Sequence, residues 1–199
     1  MAQLKMYWFT DNPLEELTLP EGYSFSHFSE ETRENDIKIW NDASSIDPMD
    51  PADYEARFKR EIYDFVDIVP ERDVWFLDHN GKHVATSSSF IWGNTGYGDM
   101  HWVGIIPEYR GKGLAKYLSY IVQKTLKERG CPFISLTTDE FRPSAVRSYL
   151  TAGFVPVEYD EGMVERWEKV LESNGIDSVQ MVYEDGSPYK IIYRTGLKK

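Results

Sequence analysis

The feature that most constrains the fold is a change of pattern near residue 105. Before it come three segments rich in alternating or continuous apolar residues, a pattern typical of strands. Asn80-Gly81 separates the first two, and this dipeptide is a strong signal for a tight β-hairpin. The segments therefore predict an antiparallel meander. They are residues 73–79, 82–92 and 97–105.

After residue 105 helices and strands alternate. Apolar residues recur at helical spacing over 111–129, and Gly130 ends that helix. A strand over 133–139, a short helix over 143–152 and a strand over 154–159 follow. A meander that leads into strand, helix, strand, helix and strand predicts an α/β fold, in which helices cover both faces of a mixed, mostly antiparallel sheet.

The N-terminal part is predicted from its turn and cap residues. Residues 1–19 are interpreted as a leader outside the core, and residues 23–28 alternate in the manner of a strand. Ser29 has the features of an N-cap with acidic residues in the first helical turn. Asp50-Pro51 places a cap and an N1 proline at the start of a second helix.

The length of 199 residues suits one domain with an extension. We expect a single domain over 1–199, with its core at about 20–160 and a C-terminal extension over 161–199. The extension is predicted to contain a helix near 161–173 and a hairpin over 178–195. Two roles are open for it: a cover over a substrate site, or a contact in a homodimer.

The net charge of −11, from 22 basic and 33 acidic residues, disfavours non-specific binding to nucleic acid. An acidic surface would suit a cationic substrate such as an amine, but it also serves solubility alone. Cys131 is the single cysteine and cannot form an internal disulfide, and no histidine and cysteine cluster suggests a metal site. With no apolar run long enough to span a membrane and no signal-peptide pattern, we expect a cytoplasmic protein.

The segment PEYRGKGLAKYL, residues 107–118, concentrates glycine and positive charge where a strand leads into a helix. The start of a helix offers unpaired N–H groups and a positive dipole end, and Gly111 and Gly113 would let an anion approach the backbone closely. Arg110, Lys112 and Lys116 add positive charge. The alternative is a glycine turn with solvated charges.

Two segments together resemble the GCN5-related N-acetyltransferase superfamily. Arg110, Gly113 and Ala115 match the acetyl-coenzyme A (acetyl-CoA) motif Arg/Gln-x-x-Gly-x-Gly/Ala of that family. About thirty residues later, RPSAVRSYLTAGFVPV is similar to the family's fourth helix and following strand. The resemblance covers roughly residues 20–160 and implies the same α/β fold and an acyltransferase activity. The matching positions of the second segment are Ala145, Tyr149, Gly153 and Phe154.

The resemblance implies that acetyl-CoA is the acyl donor. The diphosphate of the donor would lie on the backbone amides of the glycine-rich corner, and the pantetheine arm would run beside the preceding strand. The usual asparagine before the second helix is replaced by Arg142, which could still reach a phosphate or a carbonyl of the donor. The residues implied to bind it are Val103, Gly104, Ile105, Arg110, Gly111, Lys112, Gly113, Leu114, Ala115 and Arg142.

Acetyl transfer to an amine requires a base for the ammonium and benefits from an acid for the departing thiolate. Strand alternation predicts Asp99, His101, Val103 and Ile105 on one face, and the resemblance implies that Asp99 and His101 supply the base or its relay. It also implies that Tyr149 protonates the thiolate. The alternatives are polar residues at a strand end, and a tyrosine packed on the sheet.

The resemblance places the acceptor near the first helices, where residues 41–58 are rich in aspartate that could attract a cationic amine or only cap helices and face solvent. Trp40, Trp92 and Trp167 would either wall a binding site or pack in the core. Three functions are open: acetylation of a small primary amine, a non-catalytic coenzyme A (CoA) binding module, and acylation of a protein or peptide amine. The aspartates are Asp42, Asp47, Asp50 and Asp53.

Overall fold

The computed structural model describes residues 2–43, 50–60, 68–93 and 95–197. Its strands form a single sheet. In chain order the strands are β1 (Leu4–Phe9), β2 (Tyr23–His27), β3 (Val74–His79), β4 (Lys82–Ile91), β5 (Gly98–Ile105), β6 (Phe133–Thr138), β7 (Val155–Glu158), β8 (Ser178–Tyr183) and β9 (Pro188–Tyr193). In space the order is β2-β3-β4-β5-β6-β1-β7-β8-β9.

Among the described residues, the helices lie where the sequence patterns predict them, except for the short helix at Pro70–Asp73, which was not predicted. Asp50 caps the second of them, since its carboxylate accepts a hydrogen bond from the Ala52 N–H at 2.8 Å. Short 3₁₀ turns lie at Glu30–Thr32 and Pro107–Tyr109. The α-helices are α1 (Arg33–Ala43), α2 (Pro51–Phe58), α3 (Pro70–Asp73), α4 (Ala115–Glu128), α5 (Pro143–Thr151) and α6 (Met163–Asn174).

The sheet is mixed and mostly antiparallel, as predicted. The described strands pair in parallel only between β5 and β6 and between β7 and β8. The strands β2, β3, β4 and β5 pair in antiparallel fashion throughout, and the tight connection between β3 and β4 follows the Asn80-Gly81 turn signal.

Helices cover both faces of the sheet. A side chain added at Gly104 would meet Ala43 and Ile39 of α1, whereas one added at Gly98 would meet Leu126 of α4. Both glycines belong to β5, and one extra residue in the strand between them reverses the alternation, so α1 and α4 lie on opposite sides of that strand. Within the described residues, no helix has both the length and the apolar character that crossing a membrane requires.

The interpretation of residues 1–19 as a leader outside the core is wrong for Leu4–Phe9. This strand lies inside the sheet and pairs with β6 along its whole length, from Leu4↔Thr138 to Phe9↔Phe133. Its other edge pairs with β7 at Met6↔Pro156. The side chains of Leu4, Met6 and Trp8 are buried in the main core, which explains why the strand belongs to the domain.

The C-terminal segment is continuous with the sheet. The strand β8 pairs in parallel with β7, and the hairpin formed by β8 and β9 extends the sheet at that edge. Trp167 of α6 is fully buried in the core, so of the two roles open for this residue the structure supports packing.

We predict that Met6→Ala destabilises the protein by about 2–5 kcal/mol, the usual cost of truncating a large buried side chain. Met6 has no exposed surface, and two strands flank it. Lys5→Ala is the matched control, because its ion pair with Glu184 is partly solvated and should contribute less than about 1 kcal/mol. Urea unfolding measures both variants. Equal losses would contradict a structural role for β1.

Candidate functional site

A gap opens between β5 and β6. Their parallel pairing includes only Gly98↔Ile134 and Asp99↔Ser135, although β5 continues to Ile105. Beyond Asp99 the edge of β5 that faces β6 therefore has no strand partner among the described residues. An extended ligand could form backbone hydrogen bonds there, in the way that a peptide adds a strand to a sheet.

A β-bulge interrupts β5 at Trp102. The register passes from Thr86↔Gly104 to Ser88↔His101, so β5 contains one more residue than β4 over this stretch. Trp102 has φ 51°, a left-handed conformation that is costly for a bulky side chain. Bulges of this kind redirect side chains and are frequent beside active sites.

The bulge corrects the predicted alternation. Gly98 faces α4, so by alternation Asp99 and His101 lie on the α1 side of the sheet, and a side chain at Gly104 would also point toward α1. Because neighbours along a strand point to opposite sides, Val103 and Ile105 point away from α1. The four residues expected on one face are thus divided into two pairs. Asp99 and His101 lie on the α1 side, and Val103 and Ile105 lie on the other side.

Asp99 lies at the closed end of the gap. The Trp92 indole N–H donates to its Oδ2 at 3.1 Å, and the Ser135 hydroxyl donates to the same oxygen at 2.7 Å. Burial raises the pKa of Asp99, and the nearby His101 and the two donors only partly oppose this rise. Trp92 thus holds the carboxylate. Ser135 was not predicted, because its only signal in the sequence is a polar residue between the apolar Ile134 and Leu136.

His101 lies between Asp99 and the more open part of the site. Its Nδ1 is 3.9 Å from Asp99 Oδ1, and its side chain is 37% exposed against 13% for Asp99. The Phe90 ring packs edge-on against the imidazole, with a centroid separation of 5.5 Å. A buried carboxylate behind a partly exposed imidazole is an arrangement that can orient a general base.

Tryptophan side chains from α1 and β5 meet above this pair. The rings of Trp40 and Trp102 pack edge to face at 4.6 Å, and the Arg57 guanidinium lies 5.8 Å from the Trp102 ring. Trp40 and Trp102 therefore pack together between α1 and β5, on the face of β5 that carries Asp99 and His101, and a role of Trp40 in walling a binding site stays a prediction.

The glycine-rich corner presents a row of unpaired backbone amides. Among the described residues, the N–H groups from Gly111 to Lys116 have no hydrogen-bond acceptor within the protein. Gly111 and Gly113 both have φ +72°, with open space where a side chain would lie. This geometry suits an anion at the start of α4. The amide of Arg110 is excluded from the row, because it donates to the Pro107 carbonyl at 3.1 Å.

The Arg110 side chain is also engaged within the protein, which corrects the expectation that its charge supports the anion site directly. Its Nε donates to the Ile105 carbonyl at 3.0 Å, and its Nη2 donates to the carbonyls of Asp42 and Ala43 at 3.2 and 3.0 Å. Arg110 therefore connects the corner to the ends of α1 and β5.

Lys112 remains a cation at the corner. Its ammonium lies 4.5 Å from the centre of the Tyr109 ring. The Tyr109 hydroxyl is 3.0 Å from His79 Nδ1, so the β3–β4 hairpin contacts the segment that leads into the corner. Leu114 is buried in the core at the start of α4, where its side chain anchors the corner.

Tyr149 lies on α5 and is 8% exposed. Its ring packs against Phe154, and its phenol forms no hydrogen bond with any described residue. Burial raises the pKa of Tyr149 to about 12, and the positive charge of Arg142 opposes this rise. Arg142 occupies the N-cap position of α5 without a capping hydrogen bond from its side chain, and its Nε lies 3.7 Å from Asp139 Oδ2. Among the described residues, no hydrogen bond or ring contact joins Tyr149 to Asp99 or His101.

The predicted aspartates near the acceptor side have different roles. Asp50 is the cap of α2, and the Asp42 backbone carbonyl accepts from Arg110. Asp53 is exposed in the first turn of α2. Asp47 lies outside the described residues.

Curated relatives share part of this sequence. A mycothiol acetyltransferase of Thermomonospora curvata is 27% identical over 156 residues, which are 75% of this chain and 50% of that protein. A mycothiol acetyltransferase of Nocardiopsis dassonvillei is 29% identical over 113 residues, 48% of this chain and 34% of that protein. The chain thus spans half or less of the length of these relatives.

Solved structures share the fold. A GCN5-related N-acetyltransferase from Sphaerobacter thermophilus superposes with a TM-score of 0.60 at 21% identity, over 77% of this chain and 47% of that one. The structure of yncA from Salmonella typhimurium with its cofactor acetyl-CoA gives 0.51 at 15% identity, over 67% and 79%. The profile of the Acetyltransferase (GNAT) family matches residues 33–154, more than half of the chain. The chain therefore belongs to the GNAT acetyltransferase family.

Proposed function

We propose that this protein is an acetyl-CoA-dependent N-acetyltransferase that moves the acetyl group directly to a primary amine of a small molecule. The observation that carries the proposal is one continuous arrangement along β5. At the closed end of the gap β5 carries the Asp99–His101 pair. Beyond Asp99 its unpaired edge faces the gap, and its C-terminal end leads toward the unpaired amides of Gly111 to Lys116. Donor and acceptor would meet on this strand in a ternary complex.

In this proposal the corner holds the diphosphate of acetyl-CoA. Amides at the start of α4 would donate to the phosphate oxygens, and the ammonium of Lys112 would add charge. The pantetheine arm would follow the unpaired edge of β5, where the backbone of Val103, Gly104 and Ile105 offers donors and acceptors. An N–H group of this stretch would also stabilise the negative charge that develops on the thioester oxygen.

The ammonium of the acceptor must lose a proton before its nitrogen can attack the thioester carbon. Because Nδ1 of His101 faces Asp99, we assign the proton acceptor to Nε2, with transfer either direct or through one water. The Asp99 carboxylate orients the imidazole and stabilises the imidazolium form. The C–N bond then forms as the C–S bond breaks, and the electron pair of the C–S bond leaves on sulfur.

Tyr149 would stabilise the departing thiolate. With a pKa of about 12 the phenol keeps its proton at neutral pH, so it can donate a hydrogen bond. A thiol has a reference pKa of about 8.5, which is well below that of this phenol. The difference favours a hydrogen bond to the thiolate over complete proton transfer, and the positive charge of Arg142 would strengthen that donor.

The names of the mycothiol acetyltransferases support a small-molecule acceptor, and the net charge of −11 is compatible with a cationic one. A screen of amines that follows thiol release from acetyl-CoA tests the proposal. It should include amino sugars, polyamines, amino acids and peptides. We expect turnover on at least one small amine. Tight CoA binding without turnover on any of them would favour a non-catalytic module, and turnover on peptides alone would favour a protein acceptor.

Two glycine variants test the placement of the diphosphate at the corner. Gly113 and Gly175 both have positive φ angles, of 72° and 66°, and both have open space around them, so alanine strains the backbone similarly at each. Only Gly113→Ala should weaken CoA binding, by roughly tenfold, because its amide belongs to the proposed phosphate site. Calorimetric titration with CoA measures this. Equal weakening by both variants would contradict the placement of the diphosphate.

A further inference from the structure

Arg110 links three parts of the molecule through one side chain. Its Nε donates to the Ile105 carbonyl at the end of β5, and its Nη2 donates to the carbonyls of Asp42 and Ala43 at the end of α1. The planar guanidinium can satisfy these acceptors together because its donors are held in a rigid fork. The next residue in the chain, Gly111, begins the row of unpaired amides.

The end of α1 needs such a partner. The last carbonyls of a helix receive no hydrogen bond from an N–H group of the same helix. A cation near them can supply that hydrogen bond, and it also interacts favourably with the helix dipole. Asp42 and Ala43 are the last two described residues of α1, so within the part of the chain that the structure describes Arg110 occupies the position of a C-terminal capping cation. The cap comes from a residue far away in sequence, which makes the position of α1 dependent on the corner.

The position of α1 in turn sets the space above the proposed base. Ala43 and Ile39 pack where Gly104 leaves room, at 3.0 and 3.6 Å from the position of an added Cβ, and Trp40 contacts Trp102. A shift of the C-terminal end of α1 would therefore change the walls around the acceptor amine.

We propose that Arg110 is a positioning residue that couples CoA binding at the corner to the acceptor side of the site. This inference rests on the proposed function. Phosphate bound by the amides from Gly111 onward immobilises the corner, and Arg110 transmits that restraint to the last turn of α1. The coupling is reciprocal, so an amine held against α1 raises the affinity for CoA by the same factor.

Hydrogen–deuterium exchange with CoA as the probe tests the coupling without knowledge of the amine. In the wild type, saturating CoA should slow exchange of the amides in the last turn of α1 by about threefold to tenfold, because local opening is restrained. In Arg110→Gln, CoA should still bind with little loss of affinity, but exchange in α1 should no longer respond.

Lys112→Gln is the matched control, since it removes one positive charge from the same corner but breaks no bond to α1. It should weaken CoA binding while leaving the response of α1 intact at saturation. If Arg110→Gln behaves like Lys112→Gln, Arg110 is a direct phosphate ligand and the coupling is wrong. If the wild type binds CoA without any change in α1, the coupling is also wrong, although the proposed function survives. Absence of CoA binding by the wild type would overturn both.

A second variant keeps the inference testable should Arg110→Gln fold poorly. Arg110→Lys retains the charge but cannot reach all three carbonyls at once. With the best amine from the screen, we expect its KM for the amine to rise about tenfold while its Kd for CoA changes less than about twofold. A rise confined to the Kd for CoA would contradict the coupling.

Discussion

Asp99→Asn is expected to lower turnover roughly a hundredfold, which is the lower end of the usual loss when acid–base assistance is removed. The same substitution is expected to raise the free energy of unfolding at neutral pH. Both effects have the same cause. The carboxylate is buried at the closed end of the gap, where its negative charge assists His101 but is poorly solvated. An amide has the same shape without the charge. Its single carbonyl oxygen can accept from both Trp92 and Ser135, because both donate to one oxygen of Asp99.

The pH dependence of stability follows from the direction of the pKa shift. Folding raises the pKa of Asp99 above its reference value of 3.8, so the folded state binds more protons through this group than the unfolded state. The stability that Asp99 contributes is present below the unfolded pKa and is lost as the pH rises through the folded pKa. The advantage of Asp99→Asn over the wild type should therefore grow from about pH 4 toward neutral pH.

Urea unfolding at several pH values, together with steady-state kinetics, measures both effects. Asp78→Asn is the matched control, because Asp78 is also a mostly buried aspartate beside a histidine, His83, but it lies at the β3–β4 hairpin. It should leave turnover unchanged. An Asp99→Asn protein that is less stable at neutral pH would mean that attraction between Asp99 and His101 outweighs the burial of the charge.

Much of the fold could be predicted because its signals are local. Asn80-Gly81 specifies a hairpin from two adjacent residues, and the helical periodicity of α4 repeats over fourteen residues. The strand β1 has no such signal. Its partners lie more than a hundred residues away, as in Phe9↔Phe133, and no turn residue links them. Only the assembled sheet shows that Leu4–Phe9 fills the position between β6 and β7.

The geometry of the candidate site could be predicted only in part, and the roles assigned to its residues stay predictions. Alternation correctly placed Asp99 and His101 together, because it holds up to the bulge. The predicted alternation was wrong beyond Trp102. The backbone of this residue is left-handed, which is uncommon for a bulky residue and has no signature in the sequence. The hydrogen bonds of the Arg110 side chain could not be predicted either, because two of its three carbonyl partners are 67 and 68 residues away, on α1.

Tyr149→Phe is expected to reduce kcat roughly a hundredfold while leaving the affinity for CoA nearly unchanged. Removal of one hydrogen-bond donor to a developing negative charge commonly costs this much. The phenol has no partner among the described residues, so its loss leaves no orphaned group in the free protein. A stable variant that binds CoA normally and turns over slowly would separate a chemical role from packing against Phe154.

Tyr120→Phe is the control for this substitution, since Tyr120 is 7% exposed and Tyr149 is 8% exposed. It lies on α4 and should leave kcat unchanged. The pH profile adds a second criterion. Because burial holds the pKa of Tyr149 near 12, the phenol stays protonated across the neutral range, and the hundredfold deficit of Tyr149→Phe should stay constant between about pH 6 and 9. A deficit that disappears as the pH rises through this range would mean that Tyr149 ionises there, and that the phenol gives up its proton completely.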